Sequence, residues 1–270
     1  MANGTALLAA YTAAKALTPN GAVLSATNRA TVLIAPGKYD LNGSMLTLDT
    51  QYVDLAGLSS DRLHTLITSA TAGQNSGTVV QTASDVRLAN LTLQNTLGNT
   101  DVEDSATKPA AYMPTTNLSM TVCDNVRFIG TGTANAMRSA VQYSGTFTRC
   151  EANPHGFGYL AAASGTFTDC VTARHGFGYG ASASGMFRRC TAGWAGFGYG
   201  PTGTFHECSG NTPSWNGVIG GLLFNCVLYG GSFGTRGTGG FLMGCHYYYS
   251  GTWHIADDTL ELWYQNKYPI

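Results

Sequence analysis

Two histidines, His155 and His175, recur within an H-G-F-G-Y motif, with Arg174 directly before the second and Asp169 a short step upstream. An imidazole that is neutral near pH 7, set beside a carboxylate and a guanidinium, can do acid–base work on a sugar. His155, His175, Arg174 and Asp169 are therefore the catalytic candidates. The repetition favours another reading, because a catalytic residue is needed once and a stacking residue is needed in every repeat. Phe157, Phe177 and Phe197, with Tyr159, Tyr179 and Tyr199, recur at alternate positions and are expected to stack as aromatic ladders. A second set is aromatic: Trp194, Trp215, Tyr229 and Phe233, followed by the run Tyr247 to Tyr249, Trp253, Trp263 and Tyr264. These exceed what a narrow interior can hold. Exposed rings on a rigid surface stack on sugar rings or pack against another subunit, so Trp194, Trp215, Tyr229 and Phe233 are carbohydrate-binding candidates. A third set, Asp101, Glu103 and Asp104, is the densest acidic cluster. Hard cations want several carboxylate oxygens, but D-V-E-D fits no established calcium loop, so a solvated loop is expected and no metal is assigned. No cofactor is expected.

These residues must be placed by a repeat. From Ser144 the chain reads SGTFTRCEANPHGFGYLAAA, SGTFTDCVTARHGFGYGASA, SGMFRRCTAGWAGFGYG and TGTFHEC. A fixed period of short β-type runs broken by Gly and Ser signals a solenoid in which each repeat is one coil. Phe147, Phe167, Phe187 and Phe205 each lie three residues before a cysteine. On a straight strand such positions face opposite ways, so both can point inward only if the chain turns a sharp corner between them. Met120 to Cys123, Leu223 to Cys226 and Leu242 to Cys245 share the spacing, as do Leu88 and Leu91 without a cysteine. All seven cysteines are thus expected in one internal file, reduced and buried. Without CxxC pairs, zinc is not expected. Just before the cysteines stand Arg149, Asp169, Arg189 and Glu207, whose alternating signs suit an exposed ion-pair row between coils.

Runs such as TFTDC and LLFNC, with the early TVLIAPGKYDL, resemble the right-handed parallel β-helix of the pectate-lyase-like superfamily. That superfamily includes pectin-degrading enzymes and the shafts of phage tailspikes and tail fibres. The resemblance covers about Thr31 to His246 and implies a fold more than a function, since the superfold hosts lyases, hydrolases, adhesins and inert shafts. Its enzymes use clustered Asp with an Arg or Lys base, or two to three carboxylates. The coils here show no Asp-Asp pair.

The remaining features set bounds. The 270 residues carry 11% charged residues and a net charge of -1, so no basic field for nucleic acid or anionic lipid exists. No apolar run reaches the ~18 to 20 residues that span a bilayer, so no membrane insertion is expected. The N-terminal MANGTALLAAYTAAKAL lacks a basic n-region and does not read as a signal peptide, which points to a cytoplasmic protein or a virion component made there. Thr5 to Leu17 reads as a helix ended by Pro19-Asn20-Gly21. It is a natural lid for the first coil, whose strand edges otherwise stay unpaired.

The sequence thus predicts an all-β protein, a single-stranded right-handed parallel β-helix. Residues 1–30 form the helical cap, 31–250 the solenoid, and 251–270 a C-terminal cap or association tail. The favoured function is a structural and glycan-recognition module, resembling a tailspike or tail-fibre shaft, that binds a polysaccharide or cell-surface glycan and forms homo-oligomers. The alternatives are a polysaccharide lyase or glycoside hydrolase, and a self-assembling scaffold without ligand.

Overall fold

The computed structural model describes residues 2–72, 76–97, 110–113, 121–130, 135–139, 142–143, 145–157, 162–178, 182–193, 196–198, 200–211, 218–230, 235–236 and 238–256. The chain winds as a right-handed parallel β-helix behind one N-terminal helix. Through the stack, strands pair in parallel with counterparts one coil later, as Ala30–Ile34 does with Val53–Gly57, Gly37–Asp40 with Thr65–Ser69, and Leu46–Leu48 with Val79–Gln81. This pairing satisfies the backbone between coils and puts equivalent side chains directly over one another.

The first face shows this best. Phe147 pairs with Phe167, Phe187 with Phe167 and Phe205, and Leu223 with Phe205 and Leu242. The rings of Phe147, Phe167, Phe187 and Phe205 stack at centroid separations of 4.9, 5.1 and 4.8 Å. A second column of Phe157, Phe177 and Phe197 stacks at 5.4 and 5.2 Å and meets the first edge-on, as between Phe177 and Phe187 at 69°. The phenylalanines of the H-G-F-G-Y motif are therefore core. Its tyrosines, Tyr159, Tyr179 and Tyr199, lie outside the described residues.

The corner that turns Phe and Cys inward together is one residue in the left-handed region. Asn90, Asn125, Arg149, Asp169, Arg189, Glu207 and Asn225 have φ of 54, 55, 53, 55, 49, 54 and 51°, and Gly244 has 63°. One such residue reverses the side-chain alternation, so positions three apart both point inward. It also redefines the cysteine file. Cys150, Cys170, Cys190, Cys208, Cys226 and Cys245 follow the corner, and all are buried. The expected seventh member, Cys123, precedes its corner at Asn125 and instead pairs with Phe147 and Leu88 in the phenylalanine file. Its corner lies two residues after the cysteine instead of one before, so the M-T-V-C spacing misleads. Leu88 and Leu91 take the two inner positions in the earlier coil, aligned with Cys123 and Val126.

The S–H groups of Cys150, Cys170, Cys190, Cys226 and Cys245 reach a carbonyl of the preceding coil, as Cys170 does that of Phe147 and Cys190 that of Phe167, both at 3.3 Å, and Cys208 donates to the His206 carbonyl at 3.3 Å. Burial pushes the Cys170 and Cys208 thiols far above the ordinary thiol range, so they remain neutral, small, polarisable core groups. The glycine of the S-G-x-F motif is forced by close stacking. A Cβ on Gly185 would stand 2.0 Å from the Gly165 carbonyl oxygen, and one on Gly203 would stand 2.2 Å from that of Gly185.

The helix spans Ala2–Lys15, starting and ending earlier than the sequence suggests. It buries Leu7, Tyr11 and Ala14 over the first coil, and Asn20 at φ 55° redirects the chain after it. Gly4 lets it approach, since a Cβ there would lie 1.8 Å from the Asp40 carbonyl oxygen. Its length and composition do not suit a bilayer: no described helix is long and apolar enough to cross a membrane.

Candidate functional site

The strand register places His155 opposite Arg174, while Phe157 pairs with Phe177, with a shift between. The expected His155–His175 equivalence is thus lost locally, and Pro154, which has no N–H for the ladder, stands at the irregularity. The side chains of His155, Arg174 and His175 lie outside the described residues. Asp169 is engaged in an ion pair with the next coil. Its two oxygens accept from Arg189 Nε at 2.6 Å and Nη2 at 2.8 Å. This guanidinium holds the carboxyl below its usual range. Arg149 pairs with Asp124 of the preceding coil, at 2.6 Å, so the ion pairs run between coils as expected but not in one unbroken row.

Beside this row lies a built polar cluster that sequence patterning did not reveal. Glu151 accepts from Arg62 Nη2 at 2.8 Å and from Arg127 Nε at 3.0 Å. Arg62 opens the one-turn 3-10 helix Arg62–His64 in the loop between strands Val53–Gly57 and Thr65–Ser69, and its Nη1 also donates to the Arg149 carbonyl at 2.7 Å. Asn125 Nδ2 donates to the Ser60 carbonyl at 2.8 Å, and Thr92 Oγ1 to that of Arg62 at 2.9 Å. The loop is therefore fastened across three later coils. No sequence signal links residues so far apart; only the coil stack brings them together.

Of the carbohydrate-binding candidates, Trp194, Trp215 and Phe233 lie outside the described residues, as does the acidic segment Asp101 to Asp104. Tyr229 is described, and it anchors a surface. It ends the strand Val227–Tyr229, which pairs with Cys245–Tyr249, which in turn pairs antiparallel with Thr252–Ala256. This register aligns Asn211, Tyr229, Tyr248 and Trp253 in one outward row along the coil axis. Tyr229, Tyr248 and Trp253 are 48%, 38% and 52% exposed. The Trp253 ring lies 5.7 Å from that of Tyr229 and 5.2 Å from that of Tyr248. On the same strands Leu228 and Cys245 are buried in the core.

The closing hairpin turns on Ser250 and Gly251, with φ of 51 and 83°, the pair of positive values that a two-residue hairpin uses. Tyr-Ser-Gly-Thr between two β-type runs was the available signal for it, and for adding Trp253 to Tyr229. Chemically the row offers π-faces and phenol and indole donors to a ligand with apolar C–H faces and hydroxyl edges, which describes a sugar.

No known protein family's profile matches the sequence, and no curated protein matches it. Among solved structures, the pectin methylesterase PemA from Erwinia chrysanthemi is 13% identical, covers 93% of this chain and 86% of its own, and gives a TM-score of 0.48. The pectin methylesterase from Yersinia enterocolitica is 13% identical, with 88% and 90% covered and a TM-score of 0.45. The rice weevil pectin methyl esterase is 12% identical, with 84% and 74% covered and a TM-score of 0.46.

Proposed function

We propose that the protein recognises carbohydrate, with a sugar chain resting on the outward rings of Tyr229, Tyr248 and Trp253. The observation that carries this reading is the gathering of three exposed aromatic rings in one row, two on the parallel stack and the third on the antiparallel strand that closes it. The wider role is that of a structural and glycan-recognition shaft, resembling those of tailspikes, in a self-associating protein. Titration calorimetry against a panel of polysaccharides, pectin included because the solved neighbours are named for it, tests the reading. Tyr229→Ala and Trp253→Ala are each expected to weaken binding up to about 10-fold, from ~0.5–1.5 kcal/mol per lost ring contact. Absence of binding across the panel refutes it.

A second reading, a polysaccharide lyase or glycoside hydrolase, is favoured by the pairing of His155 with Arg174 on adjacent strands. It requires new reducing ends or unsaturated uronide absorbance from the same panel, lost in His155→Ala. Binding without either product excludes it.

A further inference from the structure

The fastened loop carries a second constellation. Ser59 Oγ lies 3.0 Å from His64 Nδ1, and His64 Nε2 lies 3.6 Å from Asp61 Oδ2. One arrangement of protons joins these groups in sequence. The Asp61 backbone N–H donates to Ser59 Oγ at 3.1 Å, leaving the hydroxyl its own proton to give. The Asp61 carboxylate beside Nε2 favours the tautomer protonated there, which turns the Nδ1 lone pair toward that hydroxyl. Nucleophile, base and orienting carboxylate thus stand in the order that activates a serine, with the two ring nitrogens exchanged relative to the familiar triad.

The three residues are held in position. Asp61 Oδ1 accepts from the Leu63 N–H at 2.9 Å, which fixes the carboxylate. The intervening Ser60 and Arg62 are tied to Asn125, Arg149 and Glu151 as described above. His64 and Asp61 have side chains 61% and 51% exposed, so an ester carried on a polymer or small molecule can reach them.

From this geometry we infer that Ser59 is an acyl-transfer nucleophile with His64 as its general base, acting on small esters such as O-acyl groups. Ser59 Oγ forms a bond to the ester carbonyl carbon while its proton passes to His64 Nδ1. Collapse of the tetrahedral adduct breaks the bond to the alkoxide, which leaves with that proton. Water, deprotonated by His64, then releases the acid and restores the serine. Only the choice of an O-acylated sugar as the natural ester rests on the carbohydrate reading.

The test uses the full chain with p-nitrophenyl acetate and a fluorophosphonate probe, neither of which carries a sugar. Saturable hydrolysis and stoichiometric fluorophosphonate labelling at Ser59 are expected. Ser59→Ala and His64→Gln should each lower kcat/KM by about 100-fold or more, the scale of general-base assistance, and abolish labelling. Asp61→Asn keeps the acceptor for Leu63 and should lower kcat while leaving the melting temperature unchanged, which a loop-capping role would not do. Hydrolysis or labelling that survives in His64→Gln, or that is absent from the unaltered protein, overturns the inference. Failure of sugar binding leaves this result untouched, and failure here leaves sugar binding untouched.

Discussion

Replacing Phe177 by alanine measures how much the double aromatic column stabilises the stack. Phe177 is fully buried and touches four other rings: Phe157 and Phe197 stacked at 5.4 and 5.2 Å, Phe167 and Phe187 edge-on at 5.3 Å each. Phe-to-Ala changes in cores cost about 3–5 kcal/mol, transfer and cavity together. The neighbours cannot collapse into the space, because each is itself held by the backbone register of its coil. The upper end, about 5 kcal/mol, is therefore expected. Phe177→Leu keeps much of the volume and loses the ring pairs, for about 1–2 kcal/mol. Thr168→Ala on the outward side of the same coil should change stability by less than about 0.5 kcal/mol. Urea denaturation gives the three values, and amide exchange locates them. In a solenoid each coil leans chiefly on its neighbours, so protection should fall most in strands Thr166–Thr168, Val171–Phe177 and Met186–Arg188. A cost below about 1.5 kcal/mol for Phe177→Ala, or an equal loss of protection in the first coils, would refute the column as the main support of this region.

The left-handed corner gives a pair of tests: Glu207→Val should destabilise, since φ is 54° there, and Glu207→Gly, which trades relief of that strain against added unfolded-chain entropy, should change stability by less than about 1 kcal/mol; thermal melts read both. Tyr11 is pushed up to about 12 by its burial between the helix that carries it and the first coil. A raised folded value means its contribution is complete below pH ~10 and is lost as pH climbs from there through 12, by at most about 2.7 kcal/mol; alkaline melts of the protein against Tyr11→Phe check this. The thiols of the buried file should react with Ellman's reagent only as fast as the protein unfolds, seen as loss of reaction order in reagent. Asp169→Asn, which breaks an exposed pair with Arg189, should cost no more than about 1 kcal/mol by chemical denaturation.

The repeat made the solenoid legible. Phenylalanine, cysteine and glycine returning at one interval demand that identical side chains meet identical neighbours, and parallel coils are the arrangement that does so. The corner was legible as a necessity, from Phe and Cys three apart, without revealing that Arg, Asp, Glu and Asn would adopt a left-handed φ to make it. The file of thiols was legible for the six cysteines that follow a corner and misjudged for Cys123, because spacing alone does not say on which side of the turn a residue falls.

The sites divide along the same line. Tyr229 was nameable from its sequence, since exposed aromatics in excess of the interior need a surface. Its partnership with Trp253 depends on a hairpin that reverses the chain after Ser250 and returns an indole to the row. Glu151 with Arg62 and Arg127, and the fastening of the Ser59 to His64 loop, could not be read from the chain at all. Local composition fixes which side chains fold inward within a coil, since that choice is set by neighbours a few residues away. Which loop lies across which coil is decided only when the whole stack is wound, because contacts between residues almost ninety positions apart carry no imprint in the sequence between them.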